Sequence, residues 1–389
     1  MTDPHETDVP EVTPLELVRA LEAGDPLQVV DVRLPARVGA GRIDLVPQER
    51  FHNVVGSQLR ARTDLAATGL TPGLRTVVTC GRGNDSRLAA AHLRSLGLEA
   101  FSLRGGMAAW MDALVERPVA PPPGLDSLTQ FDRVGKGSLA YLLVSGGEAV
   151  VVDPPRDAHA IVDAAKGAHA RIVGVADTHV HADYVSGAPA LSSALGVPYY
   201  LNALDNSFPY YDTPGRLAIT PIVDGTTLRV GRATLVARHN PGHTLGSTSF
   251  VVDGALALSG DFVFVESLGR PDLAGRADAW APLLWESLER ARREWARELL
   301  VLPGHYSHAR ERRADHCVAG VFGELLTSNA ALRFTDRAAF LEWAATRTSV
   351  PENYRAIKSI NTGLRIVTDA QVTELEVGRN EGAVARPPA

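Results

Sequence analysis

The sequence is poor in cysteine, methionine and aromatic residues. Its 389 residues include two cysteines and three methionines, and aromatic side chains make up 6%. Two cysteines so far apart cannot form the framework of a small disulfide-rich protein. The length instead indicates about two to three domains, each large enough to bury a hydrophobic core.

Charge and hydropathy exclude two further classes of protein. The net charge is −6 and the charged residues are dispersed, so no basic stripe indicates a nucleic-acid partner. No apolar run approaches the ~18 residues that are needed to span a bilayer. Residues 1–8 are acidic and lack the apolar stretch of a secretory signal. We therefore expect a soluble, cytoplasmic protein without a nucleic-acid or membrane partner, and the sequence leaves open whether it is a homo-oligomer.

The segment Thr178-His-Val-His-Ala-Asp183 carries metal-binding side chains at alternate positions. It follows the run Arg171–Ala176, which is mostly apolar and β-branched and is typical of a buried strand. Two imidazoles and a carboxylate just beyond a strand end can converge on one small volume. Neutral imidazole and carboxylate are ligands that divalent transition metals prefer. The segment therefore indicates a metal site.

Three later loops repeat this arrangement of a polar residue after an apolar run. Each delivers one ligand-type residue just past a predicted strand: His243, Asp261 and His305. Rigid strands hold the side chains of the loops at their ends, so we expect these residues to converge with the Thr178–Asp183 loop. The whole set predicts one metal centre in an α/β fold.

The order of these residues resembles the metallo-β-lactamase superfamily, whose first motif is H-x-H-x-D-H. The residues that match the family's ligand positions are His179, His181, Asp183, His243, Asp261 and His305. The resemblance covers roughly residues 127 to 330 and implies an αββα sandwich. Within the superfamily the chain looks most similar to the persulfide dioxygenases, and next to the glyoxalase-II-type thioester hydrolases. The phrase Gly269-Arg-Pro-Asp272 resembles the G-R-T-D phrase of the dioxygenases, and Arg270 is a candidate for binding a glutathione carboxylate.

Tyr184 stands where the H-x-H-x-D-H motif ends in histidine. A neutral phenol is a poor zinc ligand, so this departure favours one metal ion over two. The resemblance to the dioxygenases implies a single Fe²⁺ per chain on His179, His243 and Asp261, with Zn²⁺ as the alternative. Two histidines and one carboxylate leave open positions for substrate and O₂. Four residues would then orient ligands or substrate: His181, Asp183, Tyr184 and His305.

The N-terminal part of the chain contains a second candidate site. The apolar run Thr76–Thr79 ends at Cys80 and leads into a polar, glycine-containing loop before a helix-like stretch over residues 87–96. The loop residues are Gly81, Arg82, Gly83, Asn84, Asp85 and Ser86. Free backbone N–H groups at a helix N-terminus stabilise a thiolate and can cradle an anion or a persulfide sulfur.

This part of the chain resembles a rhodanese (sulfurtransferase) domain. The matching phrases are Asp31-Val-Arg33, Gly41-Arg-Ile43, the Cys80 loop and Leu103-Arg-Gly-Gly-Met-Ala-Ala-Trp110. The resemblance implies that Cys80 carries a sulfane sulfur. Gly81 and Asp85 replace the two arginines of the frequent C-R-S-G-N-R-S loop. A carboxylate weakens the positive potential of this loop, so a persulfide donor, or a weakened transferase, is favoured over thiosulfate.

The motifs and linkers predict four segments. A rhodanese-like α/β domain covers residues 1–117, a stiff Pro-rich linker 118–126, a metallo-β-lactamase-like domain 127–330, and a mainly helical extension and tail 331–389. We predict β segments within 127–152 and helices at 157–168, 279–299, 336–345 and 354–361. The tail over 379–389 is expected to be disordered.

Several residues are interpreted as structural. Five histidines lack ligand-type neighbours at useful spacing: His52, His92, His159, His169 and His308. Tyr199-Tyr200 and Tyr210-Tyr211 are expected to pack, and Cys317 is expected to be a buried, unreactive thiol.

Together the two resemblances imply an enzyme that oxidises a low-molecular-weight persulfide, such as glutathione persulfide, with O₂ to sulfite and that transfers sulfane sulfur through Cys80. Two alternatives stay open. One is a zinc-dependent thioester hydrolase, in which the metal generates hydroxide. The other is a persulfide carrier or sensor without enzymatic activity.

Overall fold

The computed structural model describes residues 9–39, 41–207, 213–344, 353–376 and 378. The chain divides into two compact units. The first runs to Val115 and includes Arg133–Lys136, and the second begins at Glu116 and includes Gly137–Glu376. The domain boundaries proposed above at residues 117, 127 and 330 remain predictions.

The first unit contains a parallel sheet. Its elements in chain order are β1 (Glu11–Val12), α1 (Pro14–Glu22), β2 (Leu27–Asp31), α2 (Pro35–Gly39), β3 (Phe51–Asn53), α3 (Gly56–Arg60), β4 (Arg75–Thr79), α4 (Asn84–Ser95), β5 (Ala100–Leu103) and α5 (Gly106–Asp112). Within the described residues the strand order is β1-β5-β4-β2-β3, and each neighbouring pair is parallel.

Alternate residues of the central strands belong to two different cores. Val29 and Val77 pack with α1 and α5, whereas Val30 and Val78 pack with α3 and α4. Successive side chains of a strand point to opposite faces, so apolar runs such as these require cover on both sides. The result is the α/β layer structure that the sequence predicted for this part of the chain.

The second unit contains two sheets and the remaining helices. Its elements are β6 (Leu114–Val119), β7 (Ser127–Arg133), β8 (Ser138–Ser145), β9 (Glu148–Val152), α6 (His159–Gly167), β10 (Arg171–Ala176), α7 (Ala188–Leu195), β11 (Tyr199–Asn202), β12 (Thr220–Ile222), β13 (Thr227–Val230), β14 (Ala233–His239), β15 (Thr248–Val252), β16 (Leu256–Gly260), α8 (Ala277–Glu294), β17 (Leu300–Pro303), β18 (Gly320–Val321), α9 (Phe322–Ser328), α10 (Arg337–Ala344), α11 (Asn353–Asn361) and α12 (Asp369–Leu375).

The two sheets pack face to face. One has the order β12-β11-β10-β9-β8-β7-β6 and the other the order β13-β14-β15-β16-β17-β18. Residues of both sheets, such as Tyr141 and Phe250, share one core. Helix α8 covers the outer face of the second sheet, where Leu284 and Leu288 pack with Val301. Helices α6 and α7 contact β10 of the first sheet. The predicted αββα sandwich and its helical C-terminal extension are confirmed.

The strand directions bring several polar loops to one edge of the second sheet. Strands β14 and β16 both pair antiparallel with β15, and β17 runs parallel to β16. These three strands therefore end at the same edge. The loop after β10 joins them there, because Thr248 N donates to Thr178 O at 2.8 Å.

Two helix predictions are corrected by the structure. Helix α8 ends at Glu294, five residues before the predicted end at residue 299, because Trp295 leaves the helical conformation and packs edge-on against Phe262 and Phe322. Helix α4 begins at Asn84 and not at residue 87, because Gly83 with φ +94° ends the preceding loop. The predictions for Ala345, for Tyr210-Tyr211 and for the tail over 379–389 lie outside the described residues. In the part of the chain that the structure describes, no helix is both long and apolar enough to cross a membrane.

Candidate metal centre and cysteine loop

Three side chains from three strand-end loops converge in the second unit. Asp261 Oδ2 lies 3.5 Å from His243 Nε2 and 3.9 Å from His179 Nε2. One ligand atom from each residue lies within 4.8 Å of the other two, and all three side chains are buried. We call His179, His243 and Asp261 the triad. The positions of these residues after strands predicted that their loops converge, and the resemblance to the dioxygenases implied these three as the ligands.

The triad has the protonation states that metal binding needs. Burial, reinforced by the charges of neighbouring histidines, lowers the pKa of His179 well below its ordinary value. Burial also lowers the pKa of His243. Neutral imidazole is the metal-binding form, so these two rings do not need to lose a proton. The two neutral rings and the carboxylate fit one divalent ion.

Hydrogen bonds orient both rings of the triad. His243 Nδ1 donates to the backbone oxygen of Arg270 at 3.1 Å. His179 Nδ1 lies 3.0 Å from Thr178 Oγ1, and this hydroxyl donates to Asp153 Oδ2 at 2.9 Å. With Nδ1 engaged, Nε2 of each ring faces Asp261. Bonds of this kind hold the ligand tautomer and orientation in metal sites.

His305 lies between two carboxylates. Its Nδ1 is 2.6 Å from Asp261 Oδ1, and its Nε2 is 3.1 Å from Asp183 Oδ2. Burial favours the neutral ring, but the two carboxylates outweigh it and raise the pKa of His305 to about 10. Burial likewise acts to raise the pKa of Asp261, and the charge of His305 overcomes it and lowers that pKa. His305 therefore holds Oδ1 of Asp261 while Oδ2 faces the two triad histidines.

Tyr184 lies beside His181. Its hydroxyl is 2.9 Å from His181 Nε2, and the two rings stack with centroids 4.3 Å apart. Burial raises the pKa of Tyr184 well above its ordinary value, so the phenol stays neutral. His181 Nδ1 is buried and has no hydrogen-bond partner within the described ranges.

Two aspartates that the sequence analysis did not single out surround His181. His181 Nε2 lies 3.1 Å from Asp153 Oδ1 and 3.9 Å from Asp177 Oδ1. Tyr199 also belongs here, because its hydroxyl donates to Asp177 Oδ2 at 2.8 Å, so it does more than pack. Burial raises the pKa of Asp177 to about 7. Both aspartates directly follow buried strands, β9 and β10, which is the signal that could have identified them.

Arg270 is buried next to the triad. Its Nε and a terminal nitrogen contact the two carboxylate oxygens of Asp272 at 2.7 and 2.8 Å. The backbone oxygen of the same residue accepts from His243, as described above. The Gly269–Asp272 phrase thus shapes the loop that orients a triad histidine, and binding of a substrate carboxylate by Arg270 stays a prediction.

Cys80 lies at the end of β4 in the first unit. Gly83 N donates to Cys80 Sγ at 3.1 Å, and the thiol contacts Ser86 Oγ at 3.4 Å. The polar loop is shorter than predicted: only Gly81–Gly83 precede the helix, and the next three residues form the first turn of α4. Asn84 and Asp85 are exposed there.

The glycine pair of the Leu103–Trp110 motif closes against this loop. A Cβ on Gly106 would come within 2.5 Å of Cys80 O and 2.8 Å of Gly83 N. Met107 N donates to Cys80 O at 2.8 Å. A larger residue at position 106 would displace the loop. The motif that identifies the resemblance to a rhodanese domain is therefore also required for packing.

The other cysteine and the five histidines that were set aside lie apart from these groups. Cys317 is buried, its thiol contacts Pro118 O at 3.4 Å, and burial raises its pKa to about 11. Two groups of candidate metal ligands occur among the described residues: the triad, and Asp153 with Asp177 and His181. Neither group includes any of the five histidines, which are His52, His92, His159, His169 and His308.

Comparison with known families agrees with the two units. Residues 133–305 match the metallo-β-lactamase superfamily, and residues 13–113 match the rhodanese-like domain. A hydroxyacylglutathione hydrolase from Acidiphilium cryptum is 32% identical over 179 residues, which are 46% of this chain and 68% of that protein. The chain belongs to the metallo-β-lactamase superfamily. It also carries a rhodanese-like domain.

Two further relatives support this membership. The human protein named "Persulfide dioxygenase ETHE1, mitochondrial" is 32% identical over 168 residues, which are 41% of this chain. The alignment spans 60% of that protein's length, less than two thirds. The crystal structure of a metallo-β-lactamase from Staphylococcus aureus COL aligns with a TM-score of 0.55 and 26% identity, covering 62% of this chain and 74% of its own.

Asp205 connects two ligand loops of the metallo-β-lactamase domain, and the sequence analysis missed it. Its Oδ2 accepts from Val180 N at 2.9 Å and from Thr244 Oγ1 at 2.7 Å, and its Oδ1 accepts from Gly246 N at 2.6 Å. Val180 adjoins His179, and Thr244 adjoins His243. One buried carboxylate therefore sets the spacing of the two triad histidines.

Asp205→Asn should weaken metal binding without removing a ligand. An amide has one oxygen, so its NH₂ group would face a donor in either orientation: Gly246 N in one, and Val180 N with Thr244 Oγ1 in the other. At least one bond between Asp205 and the histidine loops would therefore be lost. Loss of such an orienting contact typically lowers metal affinity by roughly 10–100-fold. Competition with a chromogenic chelator measures the affinity, and Asp163→Asn, an exposed position on α6, is the control. An unchanged affinity in Asp205→Asn would show that the loops keep their spacing by other contacts.

Proposed function

We propose that the metallo-β-lactamase domain is a persulfide dioxygenase that uses one Fe²⁺. The reaction is RSSH + O₂ + H₂O → RSH + SO₃²⁻ + 2H⁺, in which the sulfane sulfur is oxidised and O₂ is reduced. Glutathione persulfide is the proposed substrate. The observation that carries the proposal is the triad itself, since two histidines and one carboxylate are typical of non-haem Fe(II) oxygenases. The human relative named as a persulfide dioxygenase supports it.

The surroundings of the triad favour a single ion. Two of the superfamily's remaining ligand positions are Asp183 and His305, and Asp183 Oδ2 lies 3.1 Å from His305 Nε2. Tyr184 supplies a neutral phenol where its motif has an imidazole. The phenol at position 184 favours one metal per chain over two.

The protein's own side chains would prepare the site for this chemistry. When bound, Fe²⁺ would supply open coordination positions and the redox chemistry that O₂ requires. His179 and His243 would hold it through Nε2, and Asp261 through Oδ2. His305 donates a hydrogen bond from Nδ1 to Asp261 Oδ1, which orients that carboxylate. Burial of all four side chains excludes bulk water from the reacting groups.

The rhodanese-like domain would transfer sulfane sulfur through Cys80. In the proposed step sulfite attacks the outer sulfur of the Cys80 persulfide: Cys–S–S⁻ + SO₃²⁻ → Cys–S⁻ + S₂O₃²⁻. The S–S bond of the enzyme persulfide breaks, and its electron pair stays on Cys80. Gly83 N and the first turn of α4 would stabilise the sulfur anion. Transfer in the opposite sense, from Cys80 to the substrate thiol of the metal site, is the alternative role.

A zinc-dependent thioester hydrolase is the second candidate function. The Acidiphilium hydroxyacylglutathione hydrolase, 68% of whose length aligns, favours it. Metal analysis after anaerobic purification, together with oxygen uptake on glutathione persulfide, separates the two. Iron with persulfide-dependent uptake supports oxidation, whereas two zinc ions and cleavage of a glutathione thioester support hydrolysis. A carrier or sensor without enzymatic activity would show neither. A cytoplasmic location remains a prediction, and whether the chain forms a homo-oligomer stays open.

Tyr184→His should raise the metal content from one to two equivalents of Zn²⁺ per chain. The new imidazole would stand next to Asp183 and His305, the other residues at the superfamily's second metal position. Tyr184→Phe is the matched control, since it removes the hydroxyl and adds no ligand. Elemental analysis after zinc loading measures the content. A single equivalent in Tyr184→His would show that Tyr184 does not prevent a second metal, and two equivalents in Tyr184→Phe would assign the effect to the hydroxyl.

A further inference from the structure

A hydroxyl group lies inside an otherwise apolar core of the first unit. Ser102, on β5, is fully buried, and its neighbours on the same face of the sheet, Ala100 and Val78, belong to the core that α3 and α4 cover. Burial of a hydroxyl costs free energy unless the group is hydrogen-bonded. A hydroxyl at this position therefore indicates a role that an apolar residue could not supply.

Ser102 is connected to the sulfur of Cys80 through Ser86. Ser102 Oγ lies 2.9 Å from Ser86 Oγ, which is the only hydrogen-bond partner of that hydroxyl in the described part of the chain. Ser86 Oγ lies 3.4 Å from Cys80 Sγ, and it donates to Gly83 O at 3.0 Å. Ser86 and Cys80 are buried as well. The three side chains thus form a continuous row that bulk water does not reach.

The number of hydroxyl protons fixes the direction of these bonds. Ser86 has one proton to donate, and Gly83 O, which has none, accepts it. Ser102 must therefore be the donor in its bond with Ser86, and the thiol of Cys80 donates to the same oxygen. While the thiol is neutral, Ser86 Oγ thus accepts two hydrogen bonds and donates one.

Removal of the proton from Cys80 would reverse one of these bonds. A sulfur anion can only accept, so the Ser86 proton can turn from Gly83 O to Cys80 Sγ, a rotation that moves one hydrogen and no heavier atom. Gly83 N already donates to Sγ at 3.1 Å. Ser102 continues to donate to Ser86, and a hydroxyl that accepts a hydrogen bond is itself a stronger donor. Ser102 therefore strengthens the bond that Ser86 makes to the anion.

We propose that Ser102 is a positioning residue for sulfur transfer, because it fixes Ser86 as the hydroxyl donor to the Cys80 thiolate. The inference rests on the proposed transfer to sulfite and deepens it. In that step the S–S bond of the Cys80 persulfide breaks, its electron pair passes to Sγ, and thiosulfate leaves. Charge therefore develops on the atom that Ser86 contacts, and a bond that strengthens with this charge lowers the barrier. Ser86 acts on the reacting sulfur directly, and Ser102 acts through Ser86.

The ultraviolet absorbance of the thiolate, followed as the pH is raised, tests this assignment without sulfur transfer. All variants carry Cys317→Ser, which leaves Cys80 as the single thiol of the chain, and the same chain with Cys80→Ser gives the background. Ser86→Ala should move the midpoint of the thiolate titration upward by roughly one pH unit or more, since hydrogen bonds to charged groups exceed neutral ones. Ser102→Ala should move it in the same direction by a smaller amount. The double variant should match Ser86→Ala, because Ser102 has no effect once its partner is removed.

Sulfur transfer and folding are measured on the same variants. Single-turnover formation of thiosulfate, from persulfide-loaded protein and sulfite, should fall by roughly tenfold in Ser86→Ala and by less in Ser102→Ala. Ser95→Ala is the matched control, because this exposed serine of α4 also donates to a backbone oxygen three residues earlier. It should leave the titration and the transfer rate at the parent's values. Unfolding in urea identifies a merely structural role, which would lower the free energy of unfolding without moving the titration.

The outcomes separate this inference from the proposed function. An unchanged midpoint in Ser102→Ala overturns the assignment, and so does a double variant whose shift is the sum of the two single shifts. Ser102→Ala decides alone if Ser86→Ala does not fold, because it removes only one oxygen from a strand. Shifted midpoints with a parent that forms no thiosulfate would support the role of Ser102 and refute the proposed transfer. Thiosulfate formation with unshifted midpoints would do the reverse.

Discussion

Alanine at His179, His243 or Asp261 should each abolish metal binding and persulfide-dependent oxygen uptake. The triad atoms lie within 4.8 Å of one another, so each substitution removes one of three ligands. Two remaining ligands do not make a stable site for a divalent ion. Metal content after dialysis and oxygen consumption with glutathione persulfide measure the two effects. The rhodanese-like unit should stay folded, because it forms a compact unit with its own cores.

His159→Ala is a suitable control for these variants, since 95% of the His159 side chain is exposed. Asp261→Asn adds a second comparison, because Asp261→Ala also removes the partner of His305 Nδ1. The amide keeps that contact through its oxygen while weakening the ligand. Sulfurtransferase activity through Cys80 reports the folding of the first unit. A variant that retains full iron content would exclude its substituted residue from the ligand set.

Cys80→Ser should abolish sulfur transfer to sulfite and leave the oxidation of free glutathione persulfide within about twofold of the parent, as for independent sites. Transfer requires a covalent sulfur carrier, and a hydroxyl cannot form a persulfide. A small persulfide can reach the triad by diffusion, so oxidation does not require Cys80. Thiosulfate formation and oxygen uptake, measured on the same preparation, give the two activities. The ratio of variant to parent is the decisive quantity, because Asp85 weakens the positive potential of the loop in both proteins.

Cys317→Ser is the matched control for Cys80→Ser. The thiol of Cys317 is buried against Pro118 O, and burial raises its pKa, so it should not carry sulfur. This variant should keep both activities. If Cys80→Ser instead loses most of its oxidation of free persulfide, sulfur must pass through Cys80 before it reaches the metal. The prediction that the two sites act independently would then be wrong.

The position of the candidate metal centre could be predicted because its residues follow strands. His179, His243, Asp261 and His305 each stand a few residues beyond an apolar run, and such runs identify strand ends without knowledge of the fold. Parallel and antiparallel pairing then brings β14, β16 and β17 to a common edge. The loop of Cys80 was recognised for the same reason, although its length was overestimated. The φ of Gly83, which starts α4 early, does not appear in a hydrophobic pattern.

The supporting residues could not be predicted in this way. Asp205 bonds to residues 25 to 41 positions away, and Asn361 bonds to residues 175 to 180 positions away. No local spacing distinguishes either from an ordinary polar residue in a loop or on a helix. The burial of Lys358 could not be predicted either, because α11 has the mixture of polar and apolar residues that is typical of a surface helix. Only packing turns its single lysine inward.

The sequence by itself therefore determined the two folds, the candidate ligands and the candidate sulfur carrier. Each of these depends on residues within one short segment, or on the order of such segments along the chain. The tertiary structure alone decided which atoms face one another. It placed His305 between Asp183 and Asp261, Tyr184 against His181, and Lys358 in the wall of a cavity that reaches His243. Charge and protonation at the site depend on these distances and on burial, and both arise only when distant segments pack together.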